Sequence, residues 1–130
     1  MGTIGIDYNG GMSFKVSARD HSLSVDLANE KGGQDSGMNP PEVFIASLGT
    51  CIGVYVVKYL QNVKLDAANL KITLSWKFSE DKTQIASIDV ILAGLGADIG
   101  KRKNAVLEAA KHCLIHKTLL SHPDINISLI

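Results

Sequence analysis

Fifteen consecutive residues, Val43 to Val57, carry no charge, and the tetrapeptide Asn39-Pro40-Pro41-Glu42 stands just ahead of them. Asn39 is suited to cap a helix, Pro40 to occupy its first turn, and Glu42 to answer the free backbone donors three residues after the cap. The spacing predicts a helix from Asn39 to about residue 62, apolar on every face through its first half. A helix of that kind must be covered on both sides. The run is shorter than the roughly 20 residues needed to cross a bilayer, so the reading is a buried helix of a soluble protein, with no membrane partner. Ala46, Ser47, Gly49, Thr50 and Gly53 let other backbones approach closely, at some cost in helix propensity from the glycines.

What could cover this helix follows from the rest of the chain. Ile4–Tyr8, Met12–Ala18 and His21–Leu27 read as extended segments, the first two joined at Asn9-Gly10, a strong hairpin signal. Leu70 to Phe78 alternates apolar and polar residues with a period of 2, the turn Ser79–Thr83 follows, and Gln84 to about Leu92 forms the second arm of a hairpin. From about Asp98 the period becomes helical, with Val106, Ala109, Ala110, Cys113, Lys117 and Leu120 on one stripe until Pro123 stops it. Ile125, Ile127 and Leu129 then alternate as a last strand. The order βββ-α-ββ-α-β gives one α+β domain over 1–130. One small sheet can hardly cover the central helix on both sides, so a second subunit is expected to pack its own sheet there, making an obligate homodimer.

Thirteen basic and thirteen acidic side chains leave no net charge, so no global field favours nucleic acid. The first residues lack the basic start and apolar run of a signal peptide, and a reducing, cytoplasmic setting is the expectation. Two cysteines kept in such a setting are thiols at rest.

Those two, Cys51 and Cys113, both fall mid-way along a segment that reads as helical. They are either small core hydrophobes or a redox pair, and the second requires that the fold bring two helices together. In a redox pair, one thiolate attacks an oxygen–oxygen bond and the resulting sulfenic acid condenses with the other thiol. An external dithiol then restores both. Cys51 lies about 18 Å along its helix from Asn39, too far for that N-terminus to lower its pKa. A cation is therefore expected beside it. The candidates are Arg19, Arg102 and Lys58, the last on the same helical face as Cys51. His112 and His116 share an i, i+4 spacing, but the H-E-x-x-H pattern is absent and no metal or other cofactor is implied. Gly32, Gly33 and Gly37 match no phosphate-binding fingerprint and read as a flexible entrance loop, Asn29 to Met38.

With Asn39-Pro40, the run Phe44-Ile-Ala-Ser-Leu-Gly-Thr-Cys51, the segment His112-Cys113-Leu-Ile-His-Lys-Thr-Leu-Leu120 and the element order in view, the chain resembles the OsmC/Ohr superfamily, the osmotically inducible and organic hydroperoxide resistance proteins. It is nearest the YhfA-like branch. The resemblance implies an intertwined homodimer with two central helices wrapped by sheets from both chains. It also implies an organic hydroperoxide reductase in which Cys51 attacks, Cys113 resolves and a dithiol reductant completes the cycle. Arg19 and Glu42 would be the supporting cation and carboxylate. Peroxidase members carry that Glu ten residues before the first cysteine, where this chain has Pro41; Glu42 is nine back. Leu114 stands where a Pro often follows the second cysteine. These departures bear on peroxidase efficiency, and the alternative is a non-enzymatic protein of the same fold that binds a small apolar ligand or senses oxidants.

Overall fold

Hairpin chemistry shapes the start of the chain. Strands β1 (Gly5–Tyr8), β2 (Phe14–Ala18) and β3 (His21–Val25) form an antiparallel sheet in that order. The first reversal places Gly10 and Gly11 at φ of 88° and 55°, the left-handed region that costs glycine nothing. Tyr8 pairs with Phe14 across the strands, their ring centres 5.6 Å apart. This computed structural model describes residues 1–130. The chain divides into two compact units, Met1–Ala46 and Ser47–Ile130, and helix α1 (Pro40–Asn62) runs across the boundary.

In the first unit the segment after β3 is not the loose loop that its glycines suggest. Asp26 is buried, 2% exposed, and its carboxylate accepts hydrogen bonds from the N–H groups of Leu27, Gln34 and Ser36 at 2.8, 3.1 and 3.2 Å. The Ser36 hydroxyl adds a fourth at 2.6 Å. One carboxylate thus pins the loop from inside. The α1 cap is reciprocal: Asn39 Oδ1 accepts from the Glu42 N–H at 2.9 Å, and Glu42 Oε1 from the Asn39 N–H at 3.2 Å.

In the second unit β4 (Lys71–Phe78) and β5 (Ile85–Ala93) make a hairpin with Ile72 opposite Leu92, Leu74 opposite Val90 and Trp76 opposite Ile88. The body of α1 lies against β4. A Cβ added at Gly49 would stand 2.6 Å from Leu74 Cδ1, and one at Gly53 3.1 Å from Ile72 Cδ1, so the two glycines that weaken the helix permit its close approach to the sheet. Leu48, Ile52, Val56 and Leu60 recur every four residues and form the core with Val106 and Cys113. At 23 residues α1 is long and apolar enough to cross a membrane by length and composition, more than the uncharged run alone suggests.

Two expectations are corrected. The second helix is not continuous: a 3₁₀ segment (Ala97–Arg102) leads into α2 (Lys103–Lys111), the chain breaks at His112 and Cys113, and α3 (Leu114–Ser121) begins anew. Cys113 therefore lies between helices rather than within one. The sixth strand is also absent, so the observed order is βββ-α-ββ-α-α. His122 turns the chain at φ 48°, and Ile125, Ile127 and Leu129 are exposed. Alternation assigns faces, but a strand also needs a neighbour's backbone to bond to, and no strand of this chain pairs with 125–129.

Candidate functional site

The break before α3 creates the geometry around the cysteines. Cys113 takes φ −52° and ψ 131°, leaving the helical region, and its own N–H bonds back to Ala110 at 3.3 Å. Its sulfur then accepts the His116 N–H at 3.5 Å, so a thiol does the work usually given to a Ser or Asp side chain. The next amides, those of Leu114 and Ile115, are the orphan donors of a helix N-terminus. Their N–H groups favour the charged form of Cys51.

Cys51, partly buried in the middle of α1, also receives a side-chain hydrogen bond from Cys113. Burial pushes the Cys51 thiol up, but the hydrogen bonds from Cys113, Ile115 and Leu114 together outweigh it and hold the thiol below its ordinary range. Cys113 moves the other way. Its complete burial is the chief cause, and the hydrogen bond to Cys51 and the negative charge there raise it further, against the opposing N–H groups of His116 and Ile115. One sulfur is stabilised as thiolate and the other as the thiol that donates to it. Both are free thiols.

The N-terminus of α3, which the residue types do not announce, contributes N–H groups that lower the Cys51 pKa. No residue at 112–114 is a usual helix cap, so nothing in the local residue types signals that a helix starts there. Arg19 lies in the first unit, exposed on the β2–β3 turn at φ 53°. Glu42, in the same unit, is committed to the α1 cap. Lys58 places Nζ 5.7 Å from the centre of the Tyr55 ring, and Arg102 Nη1 donates to the Tyr59 hydroxyl at 3.4 Å. His112 Nδ1 lies 2.7 Å from the carbonyl oxygen of Glu108 and so donates to it. No group of three or more His, Cys, Asp or Glu side chains gathers to hold a metal ion. A recess of about 250 Å³ elsewhere in the second unit, lined by Leu60, Leu65, Asp66, Asn69, Leu95 and Ile99 among others, includes neither cysteine.

Residues 33–128 match the family model of the OsmC-like proteins. The comparison with curated proteins gave no significant match. Among solved structures, an OsmC-like protein from Mycoplasma pneumoniae superposes with a TM-score of 0.76 at 14% identity, over 94% of this chain and 89% of that one. An organic hydroperoxide resistance protein OsmC from Legionella pneumophila gives 0.61 at 19% identity, over 90% and 88%. An OsmC-like hydroperoxide resistance protein from Jannaschia sp. gives 0.57 at 19% identity, over 98% and 90%. At these identities the superpositions establish the fold.

Proposed function

The chain belongs to the OsmC-like protein family, and from that premise we propose that it serves in redox or stress defence as a thiol-dependent reductase of organic hydroperoxides. The observation that carries the reading is the hydrogen bond between Cys113 and a Cys51 whose thiol is held below its ordinary range. Structural relatives named hydroperoxide resistance proteins support it.

The proposed cycle runs as follows. The Cys51 thiolate attacks the terminal peroxide oxygen; a sulfur–oxygen bond forms, the oxygen–oxygen bond breaks, and the alkoxide leaves to take up a proton as an alcohol. Cys51 is then a sulfenic acid. The Cys113 sulfur attacks the Cys51 sulfur, and the hydroxyl departs with the Cys113 proton as water, leaving a disulfide. An external dithiol reduces that disulfide by two exchange steps and is itself oxidised. Arg19 and Glu42 enter this proposal as the supporting cation and carboxylate that the family likeness assigns. Arg19→Ala is expected to move Cys51 alkylation to higher pH, and an unchanged profile removes Arg19 from the site.

The proposal includes a homodimer. Val54 on α1 is 51% exposed, Ile72, Leu74 and Trp76 are only half-buried, and Ile125, Ile127 and Leu129 have no cover. A second copy would bury such surface. Light scattering should report about 28 kDa, twice the 13.9 kDa chain. For the activity, cumene hydroperoxide consumption with dithiothreitol should be present in the native protein and lost in Cys51→Ser. Equal consumption by both contradicts the proposal.

A further inference from the structure

The recess of the second unit lies where three pieces of chain meet: the end of α1, the loop that follows it and the loop that follows β5. Leu60, Leu65, Leu95 and Ile99 line its apolar part. All four belong to the core cluster or pack against it, so this surface is already in place before any ligand arrives. Gly94 stands at φ 80°, and a Cβ added there would collide with the Asn69 carbonyl oxygen, so the two loops meet backbone to backbone. Above the apolar part the lining is polar and of one sign. Asp66, Asn69 and Asp98 line the recess and are exposed, which puts them at its rim, and no Lys, Arg or His joins them. Neither carboxylate has a cation partner, because the one ion pair of the chain joins Lys111 to Glu108. Asp66 Oδ1 accepts the Ala68 N–H at 2.9 Å, which leaves Oδ2 for a ligand.

This lining selects by charge. An anion would meet two negative groups, and a neutral apolar molecule would strip water from the carboxylates without replacing it. Two carboxylates and one amide also fall short of the roughly six to eight oxygens that a calcium ion takes. We propose that the recess is a second binding site, separate from the cysteine pair, for a small organic cation: a primary ammonium on a compact apolar body. An ammonium carries three donors and no acceptor, and Asp66, Asp98 and the Asn69 amide oxygen supply three acceptors at the rim. The apolar body covers Leu60, Leu65, Leu95 and Ile99. A volume of about 250 Å³ holds as much matter as roughly eight waters at about 30 Å³ each, so the ligand is smaller than a drug-sized molecule.

The test is titration of isotope-labelled protein with 2-phenylethylammonium, 2-phenylethanol and phenylacetate, which share an aromatic body and differ in the charge of the head, followed by backbone amide chemical shifts. The ammonium should saturate with shifts gathered at 65–69 and 95–99, and should bind roughly three to ten times more tightly than the alcohol. Phenylacetate should not bind. Asp66→Asn with Asp98→Asn changes only exposed positions and keeps an oxygen acceptor for the Ala68 N–H. That double substitution should bring the ammonium down to the affinity of the alcohol, and added salt should narrow the difference in the native protein. Because the recess includes neither cysteine, Cys51→Ser should bind the ammonium as the native protein does. Absence of saturable ammonium binding, equal binding of ammonium and alcohol, or a difference that survives the double substitution overturns the site. Shifts centred away from the recess, or loss of binding in Cys51→Ser, overturns it equally.

Discussion

The thiol of Cys113 hydrogen-bonds to the sulfur of Cys51, and the pair is polarised: Cys51 is held below the ordinary thiol range while Cys113 is pushed above it. Burial raises both. What separates them is the interaction between the two sulfurs, which lowers Cys51 and raises Cys113, while two backbone N–H groups lower each of them.

The α3 amides can be tested one at a time. Leu114 is the first residue of α3, where proline is tolerated, and ψ of 131° at Cys113 already suits a residue preceding proline. The Leu114 side chain is 60% exposed, so little packing is lost. Leu114→Pro should keep the fold, remove one N–H donor from Cys51 and raise its pKa. Iodoacetamide alkylation across pH, followed at Cys51 by peptide mass spectrometry, would shift to higher pH. An unshifted curve with retained far-ultraviolet circular dichroism would show that this amide does not support the thiolate.

Asp26 gives the first unit an acid-sensitive element. Its carboxyl is lowered from the usual range by the Ser36 hydroxyl first, then, against an opposing effect of burial, by the N–H groups of Ser36, Leu27 and Gln34. A carboxylate depressed by folding contributes stability that is full above its unfolded pKa, about 3.9. That contribution is lost as pH falls through the lower folded value. Hydrogen exchange at the Leu27, Gln34 and Ser36 amides should therefore accelerate relative to unit-two amides as acid is added below about pH 4. Asp26→Asn should show faster exchange at these amides already at neutral pH. Equal protection in the two proteins would show that the loop is held by other contacts.

Packing of α1 supports the site from behind. Leu60 is 1% exposed and joins Val56, Val106 and Cys113 in the core. Leu60→Ala removes a buried side chain and leaves a cavity, at an expected cost of about 2–5 kcal/mol. Urea unfolding should show the midpoint fall with the slope unchanged. A change below about 1 kcal/mol would mean that this end of the helix relaxes freely.

The helix that carries Cys51 is readable from its residues: the Asn39 and Glu42 cap, the proline in the first turn and the uncharged run together give Pro40–Asn62. The β4–β5 hairpin is equally plain, because a half-covered sheet imposes a period of 2 on its strands. The division at Cys113 is hidden, since the helical stripe through Val106, Ala110 and Cys113 continues in phase while the backbone does not. The sulfur that caps α3 belongs to a residue type with no strong capping preference. The segment 125–129 has the alternation of a strand, but its structure depends on a pairing partner that its own residues do not specify. The loop held by Asp26 looks mobile by composition, and a single buried carboxylate makes it ordered.

In the proposed cycle the two sulfurs join when the protein meets a hydroperoxide. Intact mass spectrometry of the protein treated with one equivalent of cumene hydroperoxide, without reductant, reads this directly. The expected result is the loss of two hydrogens, about 2 Da, with Cys51 and Cys113 recovered in one disulfide-linked peptide pair within a chain, and in Cys113→Ser a Cys51 sulfenic acid trapped by a nucleophilic probe. Persistence of both free thiols while hydroperoxide is consumed, or full consumption by Cys51→Ser, would contradict it.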